Sequence, residues 1–295
     1  MPPQSSTATL TAGLIDVFAD TPLSGNPLAV VEGADDLSEA QMRRIAGEFN
    51  QAETTFIMAS RSADFRLRSF TAAGAEVGGA GHNALGAWLW LAEEGRLGTM
   101  AAPRRFLQEI GSDILPIELR TIDGRIHGRM QQSPLALGRP VEDVARLAAA
   151  LGLLPADIRV DPVPRVANTG VAHLQIRLRD EATVDRATPD HTALLAALQA
   201  MSAEGCYAYA FDPNAPHRAY ARFFNPTVGL WEDAATGTAA GPLGAYLRHE
   251  GLIADAIEIE QGTKMGRRSI LRIELTPDAI LSGAGVVVMR GQLCL

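Results

Sequence analysis

The chain has 295 residues, 47% of them hydrophobic and 20% charged, with a formal net charge of −8. That length strains a single hydrophobic core, so two domains are expected. The acidic balance argues against nucleic acid or an anionic membrane surface as the main partner, because both recruit basic footprints, and leaves a small molecule as the default. Cys206 and Cys294 are the only cysteines, without the spacing of a zinc site or a disulfide framework, which fits a reducing cytoplasm. No run reaches the roughly 18 apolar residues of a membrane span. The start MPPQSSTATLTAG lacks the basic and apolar regions of a signal peptide, so a loose tail over residues 1–9 is expected.

Leu14 to Phe18 and Leu28 to Val31 read as short buried strands separated by the punctuation TPLSGNP. Residues 38–49 place apolar side chains on one helical face behind Ser38, a cap candidate. Thr54 to Met58 is β-prone and led by Glu53, and residues 65–70 alternate apolar with polar. Gly78, Gly79 and Gly81 then break the chain before an amphipathic helix expected over Asn83 to Glu94. Residues 114–121 and 125–130 form a hairpin pattern turned by Ile122-Asp123-Gly124. Beyond Gln131-Gln132-Ser133-Pro134 the pattern predicts a helix from about Val141, a strand over 173–178, a helix over 191–201 and strands over 206–211 and 217–224. A second glycine turn, Asp233 to Thr238, opens a helix ending near His249, and strands over 257–260, 269–275 and 285–290 complete the chain. Leu85-Gly86-Ala87-Trp88-Leu89 before Glu94-Gly95 resembles Leu243-Gly244-Ala245-Tyr246-Leu247 before Glu250-Gly251. Internal duplication explains this, as does chance similarity between two Ala/Leu/Gly-rich helices.

A helix N-terminus offers backbone N–H groups and the positive end of the helix dipole, and glycines let a ligand approach that backbone. Either turn alone equally suits a plain strand-to-helix connection. His82 at the first turn is able to donate to a substrate, accept from it, or orient a carboxylate. Glu232 and Asp233 at the second are capping groups or members of a site. Thr238 is a helix residue near the cap or a hydroxyl donor. Glu53 leads a strand that heads into the core, which would desolvate its carboxylate and raise its pKa towards the range useful for proton transfer. Taken alone, a solvated structural glutamate is the commoner outcome. Phosphate loops, dinucleotide fingerprints, nucleophile elbows and HExxH helices are all absent from the sequence.

Together these segments resemble the phenazine-biosynthesis isomerase (PhzF-like) family, within the wider diaminopimelate epimerase and proline racemase fold. The resemblance rests on Asp16-Val17-Phe18 with Gly25-Asn26-Pro27, on Glu53-Thr54-Thr55-Phe56, and on Phe70-Thr71 through Glu76 to Gly81-His82. It continues with Asn168-Thr169-Gly170 before His173-Leu174, with Glu232 to Thr238, and with Gln261-Gly262 before Met265-Gly266-Arg267. It implies an α+β fold of two similar half-domains, each a curved, mostly antiparallel sheet or barrel around a central helix, with the active site in a cleft between them. The expected halves are 10–132, joined by a final strand over 284–295, and 133–283. The resemblance further implies a cytoplasmic homodimer that acts on a small-molecule carboxylate without organic cofactor or metal. Glu53 would be the general acid/base, with His82 and Asp233 beside the substrate and Gly81, Asn83, Gly237 and Thr238 holding it. In the phenazine enzyme a carboxylate moves a proton between ring carbons of 2,3-dihydro-3-hydroxyanthranilate. The related racemases use a cysteine at each turn, whereas Ala80 and Ala235 stand near the turns here. Asn83 follows His82 where many relatives have Pro, and Lys264, Arg267 and Arg268 offer a basic loop for an anionic substrate or for solvent. A metabolite-binding protein without catalysis and a racemase or epimerase are the alternatives on the same fold.

Overall fold

The computed structural model describes residues 9–295, so the expected tail lies outside it except for Thr9, which already belongs to a strand. The chain divides into two compact units. Among the described residues, the first comprises 9–23, Pro27–Gly128 and Ala284–Leu295; the second comprises Ser24–Asn26 and Arg129–Gly283. The division at Gly128 precedes the Gln131 to Pro134 break by a few residues, because the end of a continuous strand, Arg125–Gln131, passes from one unit to the other. Among the described residues, no helix is long and apolar enough to cross a membrane.

The first unit opens with β1 (Thr9–Val17), β2 (Asn26–Glu32), α1 (Glu39–Phe49), β3 (Glu53–Met58), β4 (Phe65–Thr71) and the short β5 (Glu76–Val77). It continues with α2 (His82–Glu93), β6 (Arg104–Ile110), β7 (Asp113–Ile122) and β8 (Arg125–Gln131). Ser38 caps α1 in a reciprocal box with Gln41, and the helix lays Met42, Ile45 and Ala46 against Val31, Phe56 and Phe70. The β7 to β8 turn holds Asp123 and Gly124 at φ values of 50° and 77°, the left-handed pair that a tight hairpin demands.

α2 departs from its expected amphipathic character. Every residue from His82 to Ala92 is buried, so this is a core helix enclosed on all sides. Its Trp88 satisfies the indole N–H on Gln108 Oε1 at 3.0 Å.

The second unit contains β9 (Ala136–Pro140), α3 (Val144–Ala150), β10 (Arg165–Asn168), β11 (Ala172–Leu178), α4 (Glu181–Arg186), α5 (His191–Ala200) and β12 (Gly205–Phe211). It continues with β13 (Arg218–Asn225), β14 (Leu230–Asp233), α6 (Gly237–His249), β15 (Ala256–Gln261), β16 (Ser269–Leu275) and β17 (Ala279–Cys294). α3 begins three residues after the expected Val141 because Asp143 caps it, accepting from Arg146 N–H at 2.8 Å. The period-two pleat of β11 divides two environments. Leu174, Ile176 and Leu178 enter a cluster with Leu147, Val184, Leu194 and Leu198, while His173 and Gln175 face the opposite way, toward the start of α6. From Gly285 onward β17 pairs with β1 in the first unit; its earlier residues pair with β16.

The strand grammar of the two units is the same. In the first, β2 pairs in parallel with β3, β3 antiparallel with β4, β4 in parallel with β6, and β6 antiparallel with β7. In the second, β11, β12, β13, β15 and β16 repeat the series parallel, antiparallel, parallel, antiparallel. The short β5 and β14 pair with the middle strand of each series and lead into α2 and α6. Both helices end at left-handed glycines, Gly95 at φ 70° and Gly251 at φ 71°. A repeated order of four pairings and one helix is internal duplication rather than coincidence between two helices.

One glycine fastens the second turn to its unit. Gly262 has φ 77°, and a β-carbon there would meet the backbone oxygens of Arg267 at 2.4 Å and Ala234 at 2.5 Å. Neither can yield as a side-chain tip would. Gly262→Ala should therefore lower the unfolding free energy by roughly 2–4 kcal/mol, measured by urea denaturation, against a near-neutral change for Ala at the exposed Gly291, where a β-carbon would meet nothing within 4 Å and the backbone is not left-handed.

Candidate active site

Glu53 is the first residue of β3, opposite Leu28 on β2 and Thr71 on β4. β3 is buried on both faces, Thr54 and Phe56 on one and Thr55 and Ile57 on the other, and the Glu53 side chain at its head is only 18% exposed. Its Oε2 is buried and makes no hydrogen bond with any described residue. Burial alone pushes the carboxyl up to about 7, since no neighbour offsets the cost of desolvating the anion. The Nδ1 of His82 lies 3.9 Å from Oε2, outside hydrogen-bond range but close enough for a protonated imidazole to favour the carboxylate.

His82 is the first residue of α2, with Gly81 as its cap. The first hydrogen bond of the helix runs from Leu85 N–H to the Gly81 carbonyl, so the amides of His82, Asn83 and Ala84 lie ahead of the helical ladder. Asn83 fixes this turn. Its Oδ1 accepts from Gly81 N–H at 2.7 Å, and its Nδ2 donates to the Gly79 carbonyl at 2.9 Å and to Ser69 Oγ at 3.1 Å. Ser69 in turn lies 2.9 Å from Thr55 Oγ1, and Thr55 shares a strand face with Glu53. The side-chain amide of Asn83 is thus engaged in the turn, its backbone N–H remains among the leading amides of α2, and the network runs from that turn to the strand carrying Glu53. Around Gly78 and Gly79 a β-carbon would meet nothing within 4 Å.

In the second unit Asp233, Gly237 and Thr238 gather at the β14 to α6 turn. Asp233 Oδ1 accepts from Asn26 Nδ2 at 2.8 Å and Oδ2 from Thr236 Oγ1 at 2.5 Å. Asn26 Nδ2 also donates to the Ala235 carbonyl at 3.0 Å. Gln261 completes the set, with Nε2 donating to the Asp233 carbonyl at 2.8 Å and Oε1 accepting from Tyr207 O–H at 2.8 Å. Asp233 thus organises the turn through both carboxylate oxygens. Gly237 packs so tightly that a β-carbon would lie 2.3 Å from Leu281 Cδ2, and its carbonyl accepts from Gln132 at 2.9 Å. Thr238 Oγ1 lies 3.2 Å from His173 Nε2.

Several polar groups near the motifs turn out to be structural. Glu232 forms a bidentate pair with Arg222 at 2.8 Å on both arms, and Arg222 also donates to the carbonyls of Val184, Asp185 and Ala187. Arg267 donates to the carbonyls of Ser24 and Gly25, which binds the Gly25-Asn26 segment to the second unit, and Arg268 pairs with Glu260 at 2.9 Å. Lys264 is exposed. Cys206 is buried among apolar side chains that push its thiol well above its usual range, and Cys294 is exposed near the end of β17, so neither lies at a glycine turn. Among the described residues, no three His, Cys, Asp or Glu side chains gather as a metal-binding group. Asn26, Gln132 and Gln261 escaped the sequence reading as functional candidates. The signal for two of them was their place inside the Gly25-Asn26-Pro27 and Gln261-Gly262 motifs.

The family model described as phenazine biosynthesis-like protein matches residues 15–291. The chain belongs to the phenazine biosynthesis-like (PhzF) family. A trans-2,3-dihydro-3-hydroxyanthranilate isomerase of Pseudomonas chlororaphis is 36% identical, with 96% of this chain and 98% of that protein aligned. An uncharacterized isomerase of Escherichia coli K12, YddE, is 31% identical over 94% of this chain and 96% of its own. The crystal structure of a PhzF-family phenazine biosynthesis protein from Bacillus anthracis superposes with a TM-score of 0.87 at 25% identity, covering 98% of this chain and 100% of that one. A hydroxyproline epimerase from Agrobacterium vitis, 12% identical with a TM-score of 0.63, shares the fold. This PhzF-family chain is accordingly an isomerase with the α+β epimerase-like fold.

Two measurements check the site as described. Folding raises the Glu53 pKa from 4.5 to about 7, so the protonated form is favoured and the native state loses stability as pH rises from about 4.5 to 7. Glu53→Gln should be more stable than the parent by on the order of 3 kcal/mol above pH 7, with the difference vanishing below about pH 4.5. Asn83→Ala, which strands the Gly81 N–H and Gly79 carbonyl, should cost roughly 2–4 kcal/mol in chemical denaturation at any pH between 5 and 8.

Proposed function

We propose that this isomerase moves a proton between carbons of a small, cyclic, unsaturated carboxylic acid of the trans-2,3-dihydro-3-hydroxyanthranilate type, with Glu53 as the single general acid/base and no cofactor. The observation that carries the reading is the buried Glu53 oxygen without a hydrogen-bond partner and the elevated pKa that follows from it. A carboxyl poised near 7 is populated in both protonation states at neutral pH, as a group that must take and return one proton requires. The 36% identity to an enzyme named for that substrate supports the substrate class.

In the proposed reaction, ionised Glu53 removes a proton from a ring carbon adjacent to the unsaturated system. The C–H electron pair enters the conjugated chain, which spreads the developing charge. Protonated Glu53 then delivers the same proton to a distant carbon of that chain, and the double bonds shift without net gain or loss of atoms or electrons. A protonated His82 near Glu53 Oε2 would favour the ionised base, and the leading amides of α2 offer donors to negative charge. For Asp233, Gly237 and Thr238 the proposal is substrate holding at the start of α6, with Asp233 acting through the turn it braces.

The duplication supports a one-base mechanism. Glu53 occupies the first parallel rung between β2 and β3, opposite Leu28, and the first parallel rung between β11 and β12 joins His173 to Gly205. The second repeat therefore has glycine where the first has its carboxylate. A β-carbon at Gly205 would fall 2.3 Å from the Phe223 ring, so packing closes that position to any side chain.

Incubating the enzyme with trans-2,3-dihydro-3-hydroxyanthranilate in deuterated water should give an isomer labelled at the newly protonated carbon. Glu53→Gln should lower kcat by at least about 10³-fold while substrate still binds. The parent kcat/KM should rise with pH through an apparent pKa near 7. Turnover retained in Glu53→Gln would exclude Glu53 as the base.

A further inference from the structure

His173 is 2% exposed, and its ring is packed edge-on against Phe223 with centroids 5.0 Å apart. Burial holds its pKa far down, at about 3, so the imidazole is neutral and carries one N–H. Nε2 is 3.2 Å from Thr238 Oγ1, while Nδ1 is buried and has no hydrogen-bond partner among the described residues. With the proton on Nδ1, a buried N–H donor would be stranded. With the proton on Nε2, only a lone pair is left unused, a state that protein interiors tolerate better than an orphaned donor. The Nε2–H tautomer then donates to Thr238 Oγ1, and the Thr238 hydroxyl hydrogen is left to point elsewhere. Thr238 is half-buried in the first turn of α6, where the helix dipole favours a negative partner.

We propose that His173 is a positioning residue: held in its Nε2–H tautomer, it fixes Thr238 as a hydrogen-bond donor to an anionic oxygen of the substrate. The identity of that substrate rests on the isomerase reading above; the tautomer and its effect on Thr238 do not. Gln175, two residues along the same face of β11, leads its Nε2 to the Ala239 carbonyl at 3.4 Å, so the strand presents neutral polar groups to this helix end. A hydroxyl committed to donation would favour a carboxylate or enolate oxygen over a group that can only donate, such as an ammonium group.

Long-range ¹H–¹⁵N spectra of the full chain should show the His173 ring with a protonated Nε2 and a bare Nδ1; the reverse pattern overturns the assignment. With trans-2,3-dihydro-3-hydroxyanthranilate as substrate, His173→Leu should raise KM about tenfold, the effect of one hydrogen bond to a charged group, with kcat changed by less than about threefold. His173→Gln keeps an N–H donor of similar reach and should restore KM to within about threefold of the parent, a recovery that a purely packing role would not produce. In a Thr238→Val background, His173→Leu should have no further effect on KM; a full tenfold loss there would show that His173 does not act through Thr238. If the parent protein does not turn over this compound, the proposed substrate is wrong, and the tautomer spectrum still decides the placement of the proton.

Discussion

A carboxylate taken out of water without a partner is the constraint around which the first unit is arranged. Glu53 enters the sheet at the head of β3, a strand buried on both faces, and its Oε2 is removed from solvent there. Ionising it in that place is costly, and the fold carries the cost because other interactions hold β3 where it is: the parallel ladder to β2, the antiparallel ladder to β4, and the Thr55, Ser69 and Asn83 hydrogen bonds. These bonds place rigid structure on the strand face that Glu53 shares and on the turn that presents His82. A group free to relax toward water would revert to an ordinary carboxyl pKa and lose its use near neutral pH.

The second unit repeats the architecture and spends it differently. Where the first repeat carries an acid whose buried oxygen has no hydrogen-bond partner, the second has Gly205 and an aromatic ring in its way. At the start of α6, Asp233, Asn26, Thr236, Gln261 and Tyr207 are engaged with one another in one hydrogen-bonded network. Satisfied buried networks rigidify, and unsatisfied ones react or bind. Duplication followed by this divergence leaves a single acid/base candidate of the Glu53 kind at the paired rungs.

How much of this could be read from the chain differs by residue. Ser38 and its helix were legible because capping is a local interaction between residues three apart, and the Asp123-Gly124 turn because its backbone demand is met by few residue types. Glu53 was legible as a nominee, since its place before a β-prone run is written in sequence; that its oxygen lacks a partner depends on what packs around it. β6 was passed over because the exposure of Arg104, Arg105 and Leu107 blurs the apolar alternation, and the six-residue α4 is too short to show helical periodicity. The burial of α2 on every face was obscured by its polar first turn, His82-Asn83. The opposite fates of Asn83, spent on its own turn, and Asn26, spent on Asp233 more than 200 residues away, follow from tertiary neighbours that no local pattern encodes. The family motifs supplied the rest by marking which positions matter without saying which bonds they make.

The most direct test of the account is the titration of Glu53 itself. With the glutamate carboxyl carbons labelled with ¹³C and the Glu53 resonance assigned by its loss in Glu53→Gln, the chemical shift followed from pH 3 to 9 in the ligand-free protein reports the ionisation of that one group. The account predicts a midpoint near 7, displaced upward from 4.5 by burial. A midpoint near the ordinary value of a solvated glutamate would contradict it, because a base that ionises as it does in water is not the desolvated carboxyl on which the proposed proton transfer depends.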